Sequence, residues 1–63
     1  MRVRFEHAGN LISEVTFPHA ELPLGETVLI STGGERLRYT VGVIDMLVQN
    51  GELIVVVAVT PTT

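Results

Sequence analysis

At 63 residues the chain has room for one domain, and a domain this short buries only about 60% of the surface its unfolded chain exposes. It has no cysteine, which excludes disulfides and thiolate metal sites, and its histidines, His7 and His19, are too few for the usual structural zinc site. A formal charge of −3 argues against a protein that wraps nucleic-acid backbones, while an apolar fraction of 46% is ample for packing and leaves self-association as a second route to stability.

Met1 leads directly into Arg2-Val3-Arg4-Phe5-Glu6, whose alternation predicts a first strand and no secretion signal. His7-Ala8-Gly9-Asn10 reads as a turn. Leu11 to Phe17 follows as a second strand, with Leu11, Val15 and Phe17 on its apolar side and Ser13 as an anomaly there. Pro18 ends it, because proline cannot donate to a ladder. Residues 19–25 read as a loop held by Pro18 and Pro23. Thr27 to Ser31 is a third strand with Val28 and Ile30 inward, and Thr32-Gly33-Gly34 turns the chain. No apolar run approaches the roughly 20 residues of a membrane helix.

The stretch from Arg36 to Pro61 reads as a long hairpin folded at Asn50-Gly51, since a type I′ turn needs φ > 0 at both central positions. That register sets Gln49 against Glu52, Val48 against Leu53, Met46 against Val55 and Ile44 against Val57. These apolar residues, with Val59, share a face expected to be core. Before Gly42 the apolar residues Leu37, Tyr39 and Val41 fall at odd positions, whereas from Ile44 they favour even ones. A period-2 pattern changes phase only through an inserted residue, so a β-bulge is predicted near Gly42. The uncharged, proline-free run from Leu53 to Val59 would be a liability at an open edge, so it is expected to be central or capped by a partner. Thr60 to Thr63 reads as a frayed tail.

Five short strands and no helical period predict an all-β protein: a small five-stranded antiparallel barrel or sandwich of SH3-like or OB-like type, a single domain over residues 1–63, with a long C-terminal hairpin. The segment Pro23-Leu24-Gly25-Glu26-Thr27-Val28 is similar to a strand entry common in small barrels. With Tyr39-Thr40-Val41 and the valine-rich closing strand, the chain resembles small five-stranded β-barrel proteins of bacteria and their phages. The resemblance implies a phage or prophage origin and carries no catalytic or binding residue across.

Two surfaces are candidates for function. On the outer face of the hairpin Leu47, Ile54 and Val56 lack polar character, which points either to cover by the chain itself or to contact with a second copy. The basic residues are all arginines, Arg2, Arg4, Arg36 and Arg38, each pair spaced i, i+2. If the first and fourth strands were neighbours, these guanidiniums would form one anion-binding patch; otherwise they are solvated positions balanced by Glu6 and Glu35. Asp45 is expected to point outward opposite Val56. His7 and His19 read as surface loop residues, Ser31-Thr32-Gly33-Gly34 as a turn rather than a phosphate loop, and Tyr39 as the lone aromatic outside the core. No nucleophile, base and oxyanion donor assemble, so no catalytic, cofactor-binding or metal-ligating residue is assigned. The reading is a non-enzymatic, self-associating protein-interaction module, with no cofactor and no membrane anchor. It would be a phage structural component or a small inhibitor of a host protein, cytoplasmic or, if phage-derived, part of the virion. The alternative is an anion- or nucleic-acid-binding barrel that uses the arginine face.

Overall fold

Two-residue turns with left-handed backbone set the frame. In each, φ is positive at both positions: Ala8-Gly9 at 51° and 82°, Gly33-Gly34 at 58° and 84°, Asn50-Gly51 at 52° and 76°. This is the type I′ geometry, whose twist matches that of the strands it joins. The computed structural model describes residues 1–18 and 25–62. The strands are β1 (Arg2–His7), β2 (Asn10–Thr16), β3 (Thr27–Thr32), β4 (Glu35–Gln49) and β5 (Glu52–Pro61), with no helix among the described residues. The loop expected over residues 19–25, and His19 with it, falls largely outside them.

Ala8 is the one turn residue without the chemistry its backbone demands. An alanine at φ 51° sets its Cβ against the backbone, a conflict asparagine tolerates better. Ala8→Asn is therefore expected to stabilise the protein by about 1 kcal/mol, read as a raised midpoint in thermal or urea unfolding.

The strands form one sheet in the order β2-β1-β5-β4-β3, curled into a half-barrel. The antiparallel barrel expected from sequence is corrected in one respect. β1 runs parallel to β5, pairing Arg2 with Ile54 through Glu6 with Ala58, so the sheet is mixed. The valine-rich β5 is thereby central, as its composition requires. Strands beside a parallel neighbour are commonly buried on both faces. β5 follows suit: Val55, Val57 and Val59 are buried on the inner face and Ile54 on the outer.

The inner core joins Val3, Phe5, Ile30, Tyr39, Val55, Val57 and Val59, with Met1, Ile12, Phe17, Val28 and Val41 packed against it. Tyr39, expected outside the core, is part of it. The β4–β5 register matches the sequence reading from Gln49–Glu52 back to Ile44–Val57, and it slips by one residue between Val41 and Ile44. The bulge predicted at Gly42 is therefore present. A Cβ on Gly42 would come within 3.3 Å of the Ala58 carbonyl oxygen, so the glycine also lets the strands approach there.

Three other expectations are corrected. A second register shift between Phe5 and Glu6 sets Leu11 opposite Glu6 on the outer face, where it is 57% exposed, and Ile12 packs inward instead. The C-terminal tail is not frayed up to Thr62: Thr60 and Pro61 lie in β5, and the Thr62 amide donates to the Arg38 carbonyl at 2.9 Å. Finally, beyond Val41 the inner face of the hairpin is core only on β5. Ile44, Met46 and Val48 share that face with Val57, Val55 and Leu53, yet Met46 is 76% and Val48 71% exposed. The neighbouring strands are too short to cover them. β3 pairs with β4 only as far as Thr40, and β1 with β5 only as far as Ile54.

Candidate functional site: the free arm of the long hairpin

Beyond Thr40, β4 has β5 on one side and no partner strand on the other among the described residues. The arm carries exposed apolar side chains on both faces: Ile44, Met46, Val48 and Leu53 on the inner, Val43 and Leu47 on the outer. Isolated surface hydrophobes need no explanation, but a contiguous group beside an unpaired edge does. Asp45 points outward opposite Val56, as expected, and is exposed.

The face proposed from sequence for self-association, Leu47, Ile54 and Val56, is mostly unavailable. Ile54 is only 1% exposed, Val56 is half-buried, and Leu47 alone remains open at 39%. Ile54 lies between Arg2 of β1 and Leu47 of β4. Arg2, beside it on β1, holds its Nε 3.5 Å from Glu14 and its Nη1 3.0 Å from Glu52. The apolar outer patch foreseen from sequence is thus largely buried, with an ion-paired arginine on the strand beside it. The open apolar surface lies further along the arm, on the face expected to be core.

The four arginines do not converge. Both pairs lie on the outer face, but β5 intervenes between β1 and β4. Arg4 stands beside Val56, whereas Arg38 binds Thr62, a separation of roughly 20 Å along the strand at the usual rise per residue. Arg4 donates to Glu14 at 2.8 Å, and Arg2 is shared between Glu14 and Glu52, so this pair is already neutralised. Arg36 and Arg38 are exposed, and no carboxylate among the described residues pairs with either. His7 is the last residue of β1, and its Nδ1–H donates to the Val59 carbonyl at 2.9 Å, filling a β5 acceptor beyond the end of the β1 ladder. No group of three or more potential metal ligands gathers among the described residues, and no helix among them is long and apolar enough to cross a membrane. Compared with known proteins, the chain matches no family model, no curated protein and no solved structure.

Proposed function

We propose that the protein is a non-enzymatic interaction module that self-associates through the free arm of its long hairpin, residues 43–53. The observation that carries this reading is the exposure of Ile44, Met46, Val48 and Leu53 on one face, beside a strand edge that has no partner among the described residues. Supporting it, the polar groups beside Ile54 and Val56 are spent on one another: Arg2, Arg4, Glu14 and Glu52 form one ion-paired group, and His7 binds backbone. Such a module would act as a structural subunit or as a small protein that occupies another protein's surface. The arginine reading is weaker, because a polyanion would find only Arg36 and Arg38 unengaged.

Full burial of a large apolar side chain is worth about 1.5–3 kcal/mol, of which these half-exposed groups retain roughly 1–2 each. Summed over four residues in each of two subunits, that is about 8–16 kcal/mol against an association cost of about 4–15 kcal/mol, so the expected complex is a weak, reversible one. Sedimentation equilibrium of the parent should show mass rising with concentration. Val48→Glu, at an exposed position, should return the protein to monomer with its β-sheet circular dichroism unchanged. A parent that stays monomeric into the millimolar range would refute the proposal.

A further inference from the structure

The free arm has a definite hydrogen-bonding phase, and two independent anchors give the same one. In an antiparallel pair, residues alternate between directing both N–H and C=O at the partner and directing both away. The two-residue turn at Asn50-Gly51 makes Gln49 and Glu52 a hydrogen-bonded pair, so Leu47–Ile54 and Asp45–Val56 are bonded pairs too. Ile44, Met46 and Val48 therefore present their N–H and C=O to the outer edge. From the other end, the Val41 amide donates to Glu26 at 2.8 Å, on the β3 side, and the carbonyl of Val59 opposite it faces β1, where His7 takes it. The bulge carries that phase unchanged to Ile44–Val57. The outward-facing backbone groups and the exposed inner-face side chains belong to the same residues.

We infer that a second copy of this chain adds to that edge in antiparallel orientation, about a two-fold axis at Met46. Ile44 then faces Val48 of the partner subunit, Met46 faces Met46 of the partner subunit, and the two sheets become continuous. This rests on the self-association reading and gives it a register. The edge is self-complementary because its outward-facing residues are symmetric about Met46, so every free donor and acceptor from Ile44 to Val48 meets its mate in the copy. An axis at Ile44 would run the partner into the part of β4 that β3 already occupies at Thr40, and an axis at Val48 would set strand against turn. An axis at Asp45 or Leu47 would appose backbone groups that point away. Charge agrees: with the axis at Met46, Asp45 stands opposite Leu47 of the partner subunit, whereas an axis at Asp45 would set two carboxylates face to face. On the inner face Ile44, Met46 and Val48 of both copies merge into one apolar cluster. The edge also lacks the usual guards, since the chain has no lysine, and between Ile44 and Val48 it has no proline and only Asp45 as a charge.

Proline separates this register from other modes of association. The Met46 N–H has no partner among the described residues of the subunit, so Met46→Pro removes a donor that the dimer needs. It should leave the circular dichroism spectrum of the fold in place and weaken dimerisation at least 100-fold, while Leu47→Pro, which removes a bond within the hairpin, should unfold the arm. The second measurement is cross-linking, which is unambiguous in a chain without cysteine. At the two-fold axis the Cα atoms of facing residues lie about 5.5 Å apart, within disulfide reach, so Met46→Cys should oxidise to a covalent dimer. Gln49→Cys should not, because its copies lie roughly 20 Å apart along the strands. A parent that is monomeric overturns self-association and this register together. A parent that dimerises while Met46→Cys stays unlinked, or while a folded Met46→Pro dimerises as well as the parent, overturns the register alone. Should Met46→Pro unfold, the cysteine pair decides.

Discussion

Ile54→Glu is expected to unfold the subunit rather than dissociate an assembly. From the sequence Ile54 is a surface position, the alternate neighbour of core-facing Val55. In the folded protein it is as buried as Val57, on the opposite side of the same strand. Truncating a fully buried isoleucine to alanine costs about 2–5 kcal/mol, and a carboxylate placed there adds its own desolvation. Arg2 offers little relief, because Glu14 and Glu52 already hold it. A domain of this size has only a few kcal/mol of stability in total, so the variant should lose its cooperative thermal transition. Ile54→Ala should lower the midpoint strongly in the same assay. A folded Ile54→Glu protein that differed from the parent only in mass would place Ile54 on a contact surface and overturn its place in the interior of the subunit.

What was legible in the sequence was what depends on neighbours along the chain. Asn50-Gly51 determines the register of the long hairpin because its φ values admit few residues, and the phase reversal around Gly42 exposes the bulge because alternation cannot change sign otherwise. The charge-free run in β5 implied a central strand. What could not be read depends on partners distant in sequence. The parallel pairing of β1 with β5 is set by no turn, and it decides that Arg2 stands beside Ile54 and that Arg4 stands far from Arg38. Exposure on the inner face of β4 depends on where β3 and β1 stop, which alternation within β4 does not encode. The exposed apolar surface therefore lies on the hairpin singled out from sequence, but largely on the face expected to be core. Met46 and Val48 carried a signal in their position next to the turn, beyond the reach of any shorter strand.

Phe5→Ala should cost about 3–5 kcal/mol, enough to leave much of the population unfolded at room temperature. Phe5 is buried on β1 opposite Val57 on one side and Ser13 on the other. The small Ser13, anomalous on an apolar strand face, faces the bulk of the ring across the strand pair. Immediately beyond this pair the register of β2 shifts, and the shift turns Leu11 to solvent and Ile12 to the core. Alternation without a bulge predicts the reverse. The two arrangements differ in a measurable way: Ile12→Ala should cost roughly 1–3 kcal/mol, a partly buried residue losing contacts with the core, while Leu11→Ala should stay within about 0.5 kcal/mol of the parent. Urea unfolding of the three alanine variants, at a protein concentration where the parent is monomeric, gives these differences from the midpoints at constant slope. If Leu11→Ala is as damaging as Ile12→Ala, the second bulge is absent and β2 alternates regularly; if Phe5→Ala is tolerated, the inner core is not organised around that ring.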